Sequence, residues 1–226
     1  MKIDYKLYKP TLDSLTPQQQ ILYNRNIPVE EQSNWLNAYW NDVNDFHLLK
    51  NIKEAAVMIA NYCMLASSKI TILQDCDCDG LTSSAIIANY IHRICSKEPT
   101  ILIHEGKAHG LADIDLDDII ETTNLLIIPD AASNDYEQLK YLHDNGVDIV
   151  IADHHHCEKY SEDAIVVNNQ LDDYPNKNFC GAGVTWQLCR QMDEICNFDY
   201  ANDLVDLCAL GLCGDMMDYH EKEVRA

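Results

Sequence analysis

The stretch that decides the fold reads ITILQDCDCDG over residues 70–80, an apolar run that passes directly into an acidic turn. Short apolar runs rich in β-branched residues are typical of strands that are buried on both faces. Beyond the turn, residues Leu81–Cys95 have the apolar spacing of a helix. The stretch therefore predicts a strand at Ile70–Leu73, a carboxylate-rich turn and a helix in direct succession.

Four further apolar runs follow along the chain. They are Thr100–Ile103, Leu125–Ile128, Asp148–Ala152 and Ala164–Val167. Helix signals separate or follow them, as near Ala182–Ile195 and Asn202–Leu212. Because strands that alternate with helices form parallel sheets covered on both faces, the sequence predicts an α/β fold with a mostly parallel five-stranded sheet.

The regions around this core predict further helices. Residues 1–45 are polar, with short helices expected around Gln18–Asn24 and Gln32–Trp40. A longer helix follows, in which an apolar stripe recurs every three or four residues. The stripe consists of Leu49, Ile52, Ala56, Ile59 and Cys63. Between the third and fourth strands, Asn134 and Glu137 have the spacing of a capping box, and Gly146 marks the stop.

Acidic motifs stand directly after three of the predicted strands. They are Asp75–Asp79, Asp130 and Asp153–His156, and a fourth motif with Asp215 ends an apolar helix. Ligands of parallel sheets bind beyond the carboxyl ends of the strands, so we expect these motifs to meet. Carboxylates with one imidazole can ligate a divalent cation, and a neighbouring histidine can hold a phosphate oxygen.

Each motif taken alone also has an ordinary structural explanation. The 75–80 segment could be a solvated acidic turn, Asp130 and Asp215 could cap helices, and the histidines could be a surface cluster. The calcium loop of an EF-hand, which also begins D-x-D-x-D-G, is excluded. Its twelfth residue would be Ile86 instead of glutamate, and a strand instead of a helix precedes it.

Two further features favour a phosphate ligand. Thr82 and Ser83 stand at the predicted start of a helix, where hydroxyls and free backbone N–H groups can meet an anion. Gly181 and Gly183 allow a close backbone approach, although a plain helix start explains them equally well. We therefore name these four residues as candidates for contact with a substrate phosphate.

Composition limits the class of protein. The 16 basic and 37 acidic residues give a net charge of -21, which opposes binding of nucleic acid by bulk charge. Ten cysteines without a CxxC pair or an export signal indicate reduced thiols instead of disulfides or a zinc knuckle. No apolar stretch is long enough to span a membrane, so we predict a cytoplasmic protein.

Taken in order, the motifs resemble those of the DHH phosphoesterase family, and of its RecJ branch in particular. LYNRNI at 22–27 is similar to the family's N-terminal segment, with Asn26 where glycine is usual. PDAASND at 129–135 resembles the second motif, with Ala132 in place of a common glycine. The remaining matches are DCDCDG at 75–80, ADHHH at 152–156, CGAGV at 180–184 and GDMMD at 214–218.

The resemblance implies a site with two divalent metal ions, preferably Mn²⁺ and possibly Mg²⁺. It assigns the metal ligands to Asp77, Asp79, Asp130, His154 and Asp215. It places Asp75 in the same cluster among the catalytic residues, His155 against the scissile phosphate and Asp153 as the residue that orients the histidines. A family position that is sometimes histidine is Leu73 here, which implies a weaker or more open site for one ion.

The implied function is metal-dependent hydrolysis of phosphodiesters, as a 5′-3′ exonuclease on single-stranded DNA. Two alternatives stay open: a phosphodiesterase for short oligonucleotides or cyclic dinucleotides, and a non-catalytic replication scaffold with the same fold. The implied domains are a helical extension at 1–45, the DHH catalytic domain at 46–218 and the start of a linking helix at 219–226. A second, substrate-binding domain is expected beyond this chain, and the chain alone is expected to bind DNA weakly.

Overall fold

A computed structural model describes residues 9–37, 39–103 and 109–226 of the chain. The predicted helical extension therefore lies outside the described residues at 1–8 and at Ala38. At the centre is one sheet of five strands in the order β2-β1-β3-β4-β5. The strands are β1 Ile70–Gln74, β2 Thr100–Ile103, β3 Leu125–Pro129, β4 Asp148–Asp153 and β5 Ile165–Asn168.

Every pairing in this sheet is parallel, so the predicted fold class is confirmed. The register places Ile72 of β1 beside Ile127 of β3, and Ile127 beside Val150 of β4. Since β1, β3 and β4 are neighbours that run in one direction, their carboxyl ends lie at the same edge of the sheet. That edge carries the acidic motifs.

Helices cover both faces of the sheet. The α-helices are α1 Pro17–Asn24, α2 Gln32–Leu36, α3 Ile52–Met64, α4 Cys78–Cys95, α5 Leu116–Thr122, α6 Tyr136–Asp144, α7 Gly181–Cys196, α8 Val205–Gly214 and α9 Lys222–Arg225. Short 3-10 turns occupy Trp40–Asp42, Phe46–Leu48 and Ala201–Leu204. Among the described residues, no helix is both long enough and apolar enough to cross a membrane.

Alternate residues of the strands point into two separate hydrophobic cores, one on each face of the sheet. Ile72, Ile127 and Val150 belong to a core shared with α3, α4 and α7. Leu126 and Ile128 point the other way, into a core that includes α5 and α6. The central strand β3 is buried along its whole length, which is why it reads as an unbroken apolar run in the sequence.

Some helix boundaries differ from the prediction. The second N-terminal helix ends at Leu36 instead of Trp40, because Asn37 leaves the helical conformation and Trp40 starts a separate turn. The capping box at Asn134 is wrong: Asp135 precedes α6, and the Asn134 Nδ2 atom donates to the His156 carbonyl at 2.9 Å. The stop at Gly146 is confirmed by its φ of 86° and its hydrogen bond to the His143 carbonyl.

The two positions where glycine is usual in the resembling motifs both have left-handed backbone. Asn26 has a φ of 67° and Ala132 a φ of 72°. Asparagine tolerates this region, whereas alanine pays roughly 1–2 kcal/mol for it. The backbone shape of both motifs is therefore kept although the glycine is absent.

Candidate metal centre

The carboxyl ends of three neighbouring strands bring the acidic motifs together. Asp75 follows β1, Asp130 follows β3, and Asp153 is the last residue of β4, directly before His154. Asp215 arrives from the other side, at the end of α8. The candidate ligands therefore come from parts of the chain that are far apart in sequence but share one edge of the sheet.

The first motif forms the start of α4. Asp77 caps the helix, and its Oδ1 atom accepts a hydrogen bond from the Gly80 N–H at 2.8 Å. Gly80 is required by space, because a β-carbon there would lie 2.5 Å from the Asp75 Cβ. The motif thus becomes a tight helical turn that packs directly on the end of β1.

Asp79 is held in place by the N-terminus of α7. Its two carboxylate oxygens accept hydrogen bonds from the Gly181 N–H at 2.6 Å and from the Ala182 N–H at 2.9 Å. These are free N–H groups of a helix start, which favour a negative charge. Asp79 is buried, so the helix compensates part of the cost of placing its charge inside the protein.

The two glycines at the start of α7, which the sequence predicts as phosphate contacts, are engaged inside the protein. The N–H of Gly181 is occupied by Asp79, and Gly183 faces Phe179, whose ring a β-carbon would meet at 2.6 Å. Both glycines are buried. They let α7 pack closely on the acidic cluster and leave no open backbone surface for a phosphate.

Thr82 and Ser83 are placed differently from the prediction. The helix begins at Cys78, so both residues lie beyond its free N–H groups. The Thr82 hydroxyl donates to the Cys78 carbonyl at 2.9 Å, and the Ser83 hydroxyl donates to the Asp79 carbonyl at 2.7 Å. Both side chains are buried, and their contact with a substrate phosphate stays a prediction.

His154 stands at the centre of the cluster. Its Nε2 atom lies 3.1 Å from the Asp130 Oδ1, 3.6 Å from the Asp79 Oδ2 and 3.6 Å from the Asp215 Oδ2. Despite these distances, both Asp130 oxygens and the Asp215 Oδ2 are buried without a hydrogen bond in the described part of the chain. Buried carboxylate oxygens without partners are costly, and a shared cation would satisfy them.

Two overlapping groups of ligands result. Asp79, His154 and Asp215 have ligand atoms within 4.8 Å of one another, and so do Asp75, Asp77 and Asp130. Asp130 also groups with His154, so it lies between the two sets. The oxygen-rich donor set fits hard divalent ions.

Electrostatics support the same reading. Burial, followed by the charge of Asp79, raises the pKa of Asp130 to about 11. Burial also raises the pKa of Asp215, although His154 partly offsets the rise. A group of carboxylates that resists ionisation without a counter-charge is what a cation site presents when the ion is removed. Asp130 is further held in a left-handed backbone with a φ of 67°, a strained conformation of the kind found at functional sites.

Asp153 has a different task. Its Oδ1 atom accepts from the backbone N–H of His154 at 2.7 Å and from the Nδ1 atom of His155 at 2.8 Å. Burial would raise the pKa of Asp153, but the hydrogen bonds from His155 lower it to about 2. The same hydrogen bond raises the pKa of His155 to about 9, so its half-exposed ring is cationic at neutral pH.

Sequence reasoning missed His109. Its Nδ1 atom lies 2.7 Å from the Asp75 Oδ2, and its ring is exposed. The neighbouring Leu111 N–H donates to the Asp135 Oδ2 at 2.7 Å, which fixes this loop at the start of α6. His109 and His155 line one open pocket of about 240 Å³. Leu73 stands at the position where the family sometimes has histidine. It is buried in the core that includes α5 and α6 and does not reach the acidic cluster.

The comparisons with known proteins agree with this geometry. Residues 69–212 match the model of the DHH family, N-terminal domain. A prophage protein of Bacillus subtilis (strain 168), YorK, named as a single-strand DNA-specific exonuclease, is 37% identical over 225 residues. RecJ of Thermus thermophilus, named as a single-stranded-DNA-specific exonuclease, is 25% identical over 169 residues. The chain spans 38% of the first protein and 25% of the second, although the alignments cover 99% and 74% of this chain.

Solved structures show the same fold. Exonuclease RecJ bound to manganese superposes with a TM-score of 0.69 at 24% identity, covering 78% of this chain and 46% of that one. RecJ of Thermus thermophilus in complex with Mn²⁺ gives a TM-score of 0.64 at 24% identity and covers 88% of this chain and 30% of that one. Because the family model matches residues 69–212, the chain belongs to the DHH family and contains its N-terminal domain in a RecJ-like form.

Proposed function

We propose that this chain carries the metal-dependent catalytic centre of a nuclease that hydrolyses single-stranded DNA from its 5′ end. The observation that carries the proposal is Asp130, a buried carboxylate whose two oxygens have no hydrogen bond from the described residues and which lies between two groups of further ligands. The exonuclease names of the relatives agree with it. So do the two manganese-bound structures of the same fold.

The proposed metal ligands are five of the six residues in the two groups. They are Asp77, Asp79, Asp130, His154 and Asp215. A donor set of carboxylates with one imidazole favours Mn²⁺ and also accepts Mg²⁺. When bound, two such ions neutralise charge on a phosphodiester and supply a hydroxide nucleophile at neutral pH. Asp75 joins the second group and completes its carboxylates.

His155 contacts the scissile phosphate in this proposal. Its Nδ1 atom is engaged by Asp153, so the Nε2 atom is free to donate to a phosphate oxygen. Because the ring is cationic at neutral pH, that contact is a charge-assisted hydrogen bond. Asp153 acts through His155: it fixes the ring orientation and its protonation and touches no substrate atom.

The holding of DNA is assigned to a second domain. Two of the described cations are bound within the protein: Lys97 donates to the Leu65 carbonyl at 2.6 Å, and Lys177 donates to the Asn169 carbonyl at 2.8 Å. Arg190 is enclosed by aromatic rings. Because the whole chain carries a net charge of -21 and spans 38% of the relative YorK, we assign cutting to residues 46–218 and the basic contacts with DNA to a part of the longer protein outside this chain.

The test is a hydrolysis assay with Mn²⁺ on 5′- and 3′-labelled single strands, using the longer protein, and on an activated small phosphodiester, using this chain. We expect early release of the 5′ label as a mononucleotide, and no reaction after chelation. The matched control is Asp130→Asn, which keeps the side-chain shape. Preferential cleavage of two- to four-nucleotide substrates or of cyclic dinucleotides would favour the alternative phosphodiesterase, and absence of Mn²⁺-dependent hydrolysis would favour the scaffold.

A further inference from the structure

A third group of ligand atoms lies at the rim of the metal centre. Asp75, Cys76 and His109 have ligand atoms within 4.8 Å of one another. Cys76 and His109 are exposed, whereas Asp75 is buried below them. The proposed hydrolysis uses neither Cys76 nor His109, so this group needs its own explanation.

The donor set differs in kind from that of the main site. The two main groups offer carboxylates and imidazole, which suit Mn²⁺ and Mg²⁺. The rim group offers a sulfur, an imidazole and one carboxylate, a combination that selects Zn²⁺ or Cd²⁺ over harder ions. Adjacent sites in one loop therefore have opposite metal preferences.

Asp75, which the rim group shares with the main group, supplies a further sign of a missing ligand. It is 1% exposed, and its Oδ1 atom is buried without any hydrogen bond in the described residues. Its Oδ2 atom is 2.7 Å from the His109 Nδ1, so the carboxylate already faces the imidazole. His109 is itself fixed, because Leu111 and Gly110 of the same loop pack against Asp135. The fold thus holds Asp75 and the loop of His109 in place, and the exposed Cys76 follows Asp75 directly in the chain.

We propose that Asp75, Cys76 and His109 form a site for a thiophilic divalent cation, Zn²⁺ or Cd²⁺, and that its occupation inhibits hydrolysis. On binding, the Cys76 thiol gives its proton to solvent and the sulfur bonds the metal, while a water completes four ligands. Asp75 is shared with the main group, so the rim ion withdraws it from the catalytic metals. The inhibition rests on the proposed function, but the binding does not.

The binding test is a titration of the chain with Cd²⁺ after saturation with Mn²⁺, read by the ultraviolet charge-transfer absorption of a cadmium–thiolate bond. We expect one equivalent to bind, and Cys76→Ser to abolish the absorption. His109→Gln should weaken binding by about tenfold or more, as loss of one ligand does. The matched control is Cys213→Ser, which removes another exposed thiol and should change nothing. A band that persists in Cys76→Ser, or that disappears in Cys213→Ser, overturns the site.

The inhibition test uses Mn²⁺-dependent hydrolysis of the activated phosphodiester with added Zn²⁺. We expect the unmodified chain to lose activity, and Cys76→Ser to need about tenfold more Zn²⁺ for the same loss. Equal inhibition of both proteins would overturn the inhibitory role while leaving the optical result on binding intact. If the chain has no activity at all, the proposed function fails, but the cadmium–thiolate band still decides whether the site exists.

Discussion

A β-carbon on Gly181 would lie 2.5 Å from the Oδ1 atom of Asp130, so the first residue of α7 and the central carboxylate of the metal centre touch. The same glycine donates its N–H to Asp79 at 2.6 Å. One backbone position therefore fixes two of the proposed ligands, and the packing of α7 sets the geometry of the site.

Gly181→Ala should accordingly damage metal binding more than folding. The new methyl group must displace the Asp130 carboxylate, so we expect the affinity for Mn²⁺ and the rate of hydrolysis to fall by about tenfold or more. Isothermal titration with Mn²⁺ measures the first and a hydrolysis assay the second. The control is Gly183→Ala, where the clash is with the Phe179 ring. Gly183→Ala should lose stability and keep its affinity for Mn²⁺. Equal loss of Mn²⁺ affinity in both variants would contradict the role of Gly181 in positioning Asp130.

Asp130→Asn should stabilise the metal-free protein. The folded-state pKa of Asp130 is raised to about 11 from 3.8, so the folded chain holds a proton that the unfolded chain releases. The stability due to this proton is complete below the unfolded-state pKa of 3.8. It is lost progressively as the pH rises from there to the folded-state pKa of about 11. Urea unfolding in chelator at about pH 5 and about pH 8 should therefore show a loss in the parent chain that is smaller in the variant. With Mn²⁺ the order should reverse, because only the parent gains stability from the ion. A steeper pH dependence in Asp130→Asn would argue against this assignment.

The strands and the edge of the site could be predicted from the sequence, for a physical reason. A parallel strand buried on both faces must be apolar throughout, as Leu125–Pro129 is, and the first polar residue after it marks the edge of the sheet. Carboxylates in that position are conspicuous. The short helix α5 escaped prediction because its capping residue, Asp115, stands among further acidic residues that look like loop.

Contacts made by backbone atoms or across long separations could not be predicted. The sequence does not show which group accepts hydrogen bonds from the first N–H groups of α7. The fold shows that Asp79 accepts them. The sequence predicts Thr82 in the first turn of the helix, because the acidic motif resembles a loop. In the structure the acidic motif itself forms that first turn. His109 has no periodic signal, and its partner Asp75 lies 34 positions away.

Asp153→Asn tests the role of His155 through the pH profile. The hydrogen bond that His155 donates to Asp153 raises the pKa of His155 to about 9, so the cationic ring is lost only as the pH rises through that value. An asparagine carries no charge, and the pKa of His155 should return towards its usual value. We expect the alkaline decline of hydrolysis to move to lower pH, with a parallel shift in an NMR titration of the ring. His155→Gln should lower the rate and have no such decline. An unchanged profile in Asp153→Asn would separate His155 from catalysis.

Glu223 ties the C-terminal segment to the rest of the described chain. Its buried carboxylate accepts hydrogen bonds from Asn44, Tyr174, Asn176 and Gln187, at distances from 2.7 to 3.1 Å. Glu223→Ala leaves these donors unpaired, so we expect the free energy of unfolding to fall by about 3 kcal/mol or more. Urea unfolding measures the loss. Glu221→Ala, two residues earlier and less buried, should change the stability by less than about 0.5 kcal/mol.

The net charge of -21 should weaken the binding of single-stranded DNA by this chain. Binding of single strands depends on neutralising phosphates, with a logarithmic salt slope of about 0.7 per contact. The candidates for a basic groove in this chain are Lys97, Lys107, Lys159, Lys177 and Arg190. Lys107 lies outside the described residues, and Lys97 and Lys177 are bound to backbone carbonyls. We therefore expect weak binding of single-stranded DNA and a slope near one or two contacts, measured by fluorescence anisotropy in a salt series.

A variant at Lys159 decides whether a local groove exists after all. Its Nζ atom lies 4.9 Å from the centre of the Tyr136 ring, and Lys159 follows the histidine motif at 154–156 by three residues. If this domain does not hold the strand, Lys159→Gln should leave both the affinity and the salt slope unchanged. A slope that drops by about 0.7 would mean that Lys159 contacts a phosphate, and that the division between cutting and holding is wrong.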